Sequence, residues 1–214
     1  MHTNYEVAVI NYPLMDPRIK PADYRAYMQL DYTSADPWDV PVYIHIPFCE
    51  NLCKFCVYSR QIPDSEKLLD NYVQALKKEI SLYAKTPYIR SLRPRAVFIG
   101  GGTPTVLSGT QLADIIAALK NNLPLQNPEI TIECNISNAS EEKLQMLCEA
   151  GVTRISTGVQ TFNQKLRYTL GLRHTINTIL RWINMVKKYP FRDLSIDLLF
   201  GLPGQTVKDF EQDL

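Results

Sequence analysis

From Val40 onward the chain alternates short runs rich in β-branched and aromatic residues with longer segments of helical period, five times over. The periods predict strands near 41–47, 95–100, 129–134, 154–160 and 193–200, and helices near 65–85, 109–121, 140–150 and 175–188. Helix starts support these bounds. Ser108 followed by Gln111 is a capping-box pattern, and Ser140 precedes Glu141 and Glu142, where the helix dipole favours acid. Leu144, Leu147 and Cys148 then form an apolar stripe. Such an alternation implies a parallel sheet, and the faces of its strands decide the form. Val42, Ile44 and Ile46 alternate with Tyr43 and His45, and Ile130, Ile132 and Cys134 with Thr131 and Glu133. Ile155 and Val159 oppose Ser156, Gly158 and Gln160, while Leu194, Ile196 and Leu198 oppose Ser195 and Asp197. A parallel strand buried on both faces reads as a nearly continuous apolar run. A polar second face on every strand therefore predicts helices outside and a ligand-lined lumen inside. The expected fold is α/β, a partial (β/α)6-type TIM barrel, with working residues at the carboxyl ends of the strands.

Residues 1–40 are rich in Tyr, Pro and Asp without a sustained period, which predicts an irregular arm with one short helix around Tyr24 to Leu30. Residues 41–214 form the barrel. Thr206 to Leu214 begins a further helix that reaches no cap, Gly or Pro, so the barrel is expected to be truncated after its fifth strand, with a partner chain as one way of completing it. With 45% apolar residues in 214, one sizeable core is affordable. Lys and Arg total 23 against 22 for Asp and Glu, so no net field gathers nucleic acid or an anionic membrane. No stretch is apolar enough to span a bilayer, and Met1 to Lys20 lacks the order of a signal peptide. Five cysteines, three of them within eight positions, do not resemble a secreted disulfide framework; a reducing cytoplasmic setting is expected.

Those three cysteines carry the chemistry. In Tyr43-Ile-His-Ile-Pro-Phe-Cys49-Glu-Asn-Leu-Cys53-Lys-Phe-Cys56, three thiols follow the first strand on one loop. Soft thiolates at this spacing suit iron–sulfur or zinc. On a [4Fe–4S] cluster, three local ligands leave one iron open, as catalytic zinc keeps a free position that structural zinc lacks. The competing assignment is a zinc knuckle completed by His45, which lies inside the strand and off the loop. Cys134 and Cys148 read as inert core.

A C-x3-C-x2-C loop after a strand, with Phe55 before the last Cys, resembles the radical S-adenosylmethionine superfamily. Further blocks agree: the Tyr43-to-Cys49 lead-in, Gly100-Gly-Gly-Thr-Pro104, Gly158-Val-Gln160, and Asp197-Leu-Leu-Phe-Gly-Leu-Pro203-Gly-Gln-Thr206. Together they resemble the group around oxygen-independent coproporphyrinogen III oxidase, from about Tyr43 to Thr206. The resemblance implies that Cys49, Cys53 and Cys56 hold a [4Fe–4S] cluster whose open iron binds S-adenosylmethionine. It places Gly101, Gly102 and Thr103 at the methionine end of that cofactor, and Tyr43, Phe55 and Glu133 among its other contacts. Gln160 and Asp197 match contacts of a second S-adenosylmethionine. The arginine of that set lies twelve residues after the glutamine, where this chain has Leu172 followed by Arg173. Tyr58 stands where the oxidase carries a further Cys, which resembles the haem-chaperone and radical methyltransferase relatives more than the oxidase itself.

The implied function is reductive cleavage of S-adenosylmethionine to a 5′-deoxyadenosyl radical, for hydrogen abstraction or methyl transfer on an organic, tetrapyrrole-like small molecule. A flavodoxin or ferredoxin is the implied electron donor. The alternatives are a haem chaperone of the same group and a cluster-binding protein without turnover. No catalytic side chain is assigned.

Overall fold

The computed structural model describes residues 39–214 together with Ala26, Met28 and Gln29. Ala26 and Met28 are helical, and the rest of the expected arm and its short helix lies outside the described residues. The elements run β1 (Asp39–Ile46), α1 (Glu66–Tyr83), α2 (Pro87–Ser91), β2 (Arg93–Gly101), a 3₁₀ turn (Pro104–Val106), α3 (Gly109–Asn122), β3 (Glu129–Cys134), α4 (Glu141–Ala150), β4 (Arg154–Gln160), α5 (Gln164–Leu170), α6 (Ile176–Val186), β5 (Asp193–Leu198) and α7 (Val207–Asp213). The five expected strands are all present, and their starts and ends move by no more than two residues. Expected helix boundaries hold similarly, while α2, α5 and the 3₁₀ turn are additional.

All four strand pairings are parallel, in the order β1-β2-β3-β4-β5. An order that follows the sequence without reversal winds in one direction, which is the barrel pattern and not the doubly wound one. The helix-facing side of the sheet is apolar: Ile46, Ile99, Ile132, Ile155 and Val159 are all fully buried. They pack against Val73, Leu76 and Ile80 of α1, Leu112, Ile115 and Ile116 of α3, Leu144 and Leu147 of α4, and Ile179 and Trp182 of α6. Each such Ile or Leu contributes about 1.5–3 kcal/mol, so this layer drives folding.

The helix starts take the forms their sequences announce. Ser108 accepts from the Gln111 amide at 3.1 Å while the Gln111 side chain accepts from the Ser108 amide at 2.8 Å, closing the capping box. Ser140 caps α4, and Gly151 ends it at φ +91°. Thr206 and Asp209 form a second capping box at α7. Trp182 anchors α6 by donating to the Ala139 carbonyl at 3.1 Å.

The opposite face of the sheet is polar in register. Tyr43, Phe98, Thr131 and Arg154 lie level with one another; His45, Gly100, Glu133, Ser156 and Ser195 form the next row, and Gly158 and Asp197 the one above. At the amino end of the strands Arg154 pairs with Glu129 and Asp193, each at 3.6 Å, and Asp39 pairs with Arg93 and Arg95. Charge pairs line the amino ends of the strands, and the carboxyl ends, where the cysteine loop and the glycine turn emerge, form the mouth.

Candidate functional site

The cysteine loop leaves β1 at that mouth and is held at both of its ends. Phe48 and Gln61 form an isolated parallel bridge, in which the Gln61 amide donates to Pro47 at 2.8 Å and the Cys49 amide donates to Gln61 at 3.0 Å. Phe48 is buried and meets Tyr72 of α1 edge-on at 5.2 Å, while the Tyr72 hydroxyl donates to the His45 carbonyl. The glycine turn after β2 is joined to the same segment. Gly102 donates to the Ile46 carbonyl at 2.8 Å and Thr103 to the Phe48 carbonyl at 2.7 Å. These contacts bring the Thr103 hydroxyl within 3.5 Å of the Cys49 sulfur. They also explain why the turn is glycine. A Cβ on Gly102 would lie 2.6 Å from the Phe48 oxygen, and Gly101, at φ +117°, would bring one to 2.6 Å from the His45 ring.

Cys49 is buried, Cys53 and Cys56 are half-buried, and all three are free thiols. Burial pushes the Cys49 and Cys53 thiols up, and the neighbouring cysteines add to the shift. Among the described residues no group of three His, Cys, Asp or Glu side chains is set to hold one metal ion. The fourth ligand of the zinc-knuckle reading is otherwise engaged. The His45 ring is engaged at both nitrogens, Nδ1 with the Tyr43 hydroxyl at 2.9 Å and Nε2 with the Ser59 carbonyl at 3.1 Å. Cys134 lies in the core, its thiol pushed up to about 12 by burial, and Cys148 is half-buried on α4.

Below the loop lies the lumen. Tyr43 stacks on Phe98 at 6.2 Å, and its hydroxyl is pushed up to about 12 by burial and by the Glu133 carboxylate. Glu133 accepts from the Gly101 amide at 3.0 Å, which ties the third strand to the glycine turn. Burial raises its pKa to about 7; the Gly101 bond opposes this and Asp197 adds to it. Burial between the walls also raises Asp197, and Arg154 partly offsets that. Two carboxyl groups and a tyrosine thus share one face of the sheet, with Arg154 acting on Asp197, an arrangement suited to a cationic ligand. The unfolded glutamate titrates near 4.5 and the folded one near 7, so the unfolded chain ionises first as pH rises. The stability that Glu133 contributes below its unfolded pKa is lost as pH climbs through the folded one, on the order of 2 kcal/mol after allowing for partial exposure. Denaturant midpoints of the apoprotein at about pH 5 and about pH 7.5 should differ for the parent chain and draw together in Glu133→Gln; an unchanged difference in the variant contradicts this assignment.

Gln160 ends β4 with φ +72°, where a bulge shifts the register against β5. That is a costly conformation for a non-glycine residue, and its side chain folds over Gly158, where a Cβ would meet Nε2 at 2.3 Å. The kink is held by a residue that sequence reasoning passed over. Arg167 on α5, only 2% exposed, donates to the carbonyls of Val159 at 2.5 Å, Thr161 at 2.9 Å and His174 at 2.9 Å. Asp213 of α7 accepts from the Phe162 amide at 2.6 Å in the same knot. Phe55 is half-buried on the cysteine loop. Arg173 is exposed and forms no hydrogen bond or ion pair among the described residues, while His174 beside it reaches Ser137 at 2.8 Å. The structure therefore gathers Tyr43, the three cysteines, the glycine turn, Glu133 and Asp197 at one mouth, places Gln160 at its rim, and leaves Arg173 at the surface.

A three-cysteine loop over the carboxyl end of a partial parallel barrel, zipped to a glycine turn, defines the class: an α/β protein of iron–sulfur chemistry. The radical SAM superfamily model matches residues 43–214, and the chain belongs to that superfamily, whose cofactors are a [4Fe–4S] cluster and S-adenosylmethionine. Heme chaperone HemW of Bacillus subtilis is 39% identical over 177 residues, covering 80% of this chain and 45% of the relative. Anaerobilin synthase of Escherichia coli O157:H7 is 36% identical over 191 residues, covering 89% and 43%. Among solved structures, coproporphyrinogen III oxidase (HemN) from Escherichia coli matches with a TM-score of 0.77 at 28% identity, over 91% of this chain and 44% of that one. The chain thus spans less than half the length of these relatives. No helix among the described residues is long and apolar enough to cross a membrane.

Proposed function

We propose that Cys49, Cys53 and Cys56 ligate the cluster and that the chain cleaves S-adenosylmethionine reductively, using the product radical on an organic, tetrapyrrole-type small molecule. The observation that carries this reading is the joint between the two loops, in which the Cys49 sulfur lies 3.5 Å from the Thr103 hydroxyl and Thr103 donates to the Phe48 carbonyl. A cluster held by Cys49, Cys53 and Cys56 would pass on one electron, taken from an external donor, for reductive cleavage of the sulfonium. The chain's own residues do the rest. Gly101, Gly102 and Thr103 let backbone approach the methionine end closely; Glu133, beneath them, offers a carboxylate to its ammonium group. Tyr43 and Phe55 offer aromatic faces to the adenosine end, and the walls between them exclude water. Gln160, Asp197 and Arg173 are the candidates for a second S-adenosylmethionine, the arginine only by swinging inward from the surface.

Anaerobic reconstitution followed by dithionite and S-adenosylmethionine tests this. The chain is expected to yield 5′-deoxyadenosine, and Cys53→Ala to yield none above the protein-free background. Equal yields from the two proteins would sink the reading.

A haem chaperone is the second reading, favoured by Tyr58 in the place of a fourth local cysteine and by the name that the relatives from Bacillus subtilis and Lactococcus lactis carry. Haem titration followed by absorbance separates the two: saturable binding without 5′-deoxyadenosine supports the chaperone.

A further inference from the structure

The cysteine loop is followed by an arginine that reaches back to it. Arg60 donates through Nη2 to the carbonyl of Cys53 at 2.7 Å and through Nη1 to the carbonyl of Tyr58 at 2.9 Å. Two of its three nitrogens are thus spent on clasping the loop. The third, Nε, is buried and has no partner. A buried unpaired guanidinium N–H is expensive, and such an atom calls for an explanation. Its place supplies one: the guanidinium is bonded to the backbone of Cys53 itself, which sets its charge beside the cysteine loop. The bridge of Gln61 to Pro47 and Cys49, one residue further on, fixes the backbone beside it.

We infer that Arg60 is a positioning residue for the cluster, clasping the loop through Cys53 and Tyr58 and placing a permanent positive charge beside the thiolates, where it favours the reduced state. This rests on the proposed cluster site. Arginine remains charged at any working pH, so the effect is independent of titration. Adding an electron makes the cluster and its thiolates more negative. A nearby cation in a partly dehydrated site stabilises that state more than the oxidised one, which raises the reduction potential. Neutralising Arg60 therefore makes the cluster harder to reduce.

The test compares the reconstituted parent chain with Arg60→Gln and Arg60→Lys, reading iron content and the midpoint potential by EPR-monitored titration. Arg60→Gln is expected to weaken the reduction equilibrium about tenfold, a shift of about 59 mV to lower potential for one electron. Arg60→Lys keeps the charge and should stay near the parent potential, while losing iron faster to a chelator because a lysine cannot span both carbonyls. If Arg60→Gln holds no cluster, Arg60→Lys at the parent potential with full iron sustains the inference. Parent-like potential and iron retention in both variants overturn it, and so does equal loss of the cluster from both, which would make Arg60 a brace without electrostatic influence. A parent chain that takes up no iron fails at the proposed site itself, a result visible before either variant is measured.

Discussion

Replacing Gly102 by alanine is expected to reduce both cluster uptake and 5′-deoxyadenosine formation by about tenfold or more, since about 1.4 kcal/mol of misfit at the site already corresponds to that factor. The new methyl would sit 2.6 Å from the Phe48 carbonyl oxygen and 3.0 Å from the Cys49 sulfur. Neither neighbour is free to withdraw. The Phe48 oxygen is held by the Thr103 amide, its ring is buried against Tyr72, and its backbone is bridged to Gln61. Strain therefore falls on the cysteine loop or on the glycine turn, and either movement separates Cys49 from Thr103. Overpacking of this kind costs about 1–3 kcal/mol, so the apoprotein should also melt a few degrees lower. Iron analysis, product yield and a thermal melt read the three effects together. Parent-like values in all of them would show that the two loops are not mechanically coupled.

Removing the Arg167 guanidinium has the larger expected effect on the fold itself. Arg167→Met leaves the carbonyls of Val159, Thr161 and His174 without their donor. It also removes a cation that interacts with the buried Asp213 carboxylate, one oxygen of which has no partner. Losses of this type cost about 3–5 kcal/mol, a large share of a domain's stability. Denaturant unfolding should place the variant's midpoint well below the parent's, with Arg167→Lys between them. Because Arg167 grips the carbonyls on both sides of Gln160, relaxation of that residue to an ordinary negative φ is expected as well. A midpoint within experimental error of the parent's would contradict the role assigned to this buried charge.

The barrel was legible because its signals are periodic and repeated. Alternating faces at Val42–Ile46 and Ile130–Cys134 announce which side of each strand meets the helices, and Ser108, Ser140 and Thr206 announce where helices begin. The cysteine loop was legible because ligand spacing is local. What escaped notice depends on contacts between distant segments. Helix α5 has only seven residues, too short for a period to stand out, so nothing in the sequence separates its Arg167 from a surface charge. Gln160 carries no turn signature, and its positive φ lies between two carbonyls that Arg167 engages only in the folded chain. Arg60 is one more basic residue in the sequence; its clasp on Cys53 exists only when the loop closes. Arg173 shows the opposite failing, since a position matched by counting residues along a loop does not fix where the side chain points.

The winding order has one more consequence, for assembly. With strands laid down β1 to β5 in sequence order, every pairing joins neighbours along the chain, and no late segment must thread between two early ones. The first βα unit carries the thiols, but their seat is finished only by the glycine turn of the second, and Glu133 reaches that turn only when the third has docked. The seat proposed for the cluster is therefore complete only when three βα units have folded against one another, since the loop after β1, the turn after β2 and Glu133 of β3 each supply a contact to it.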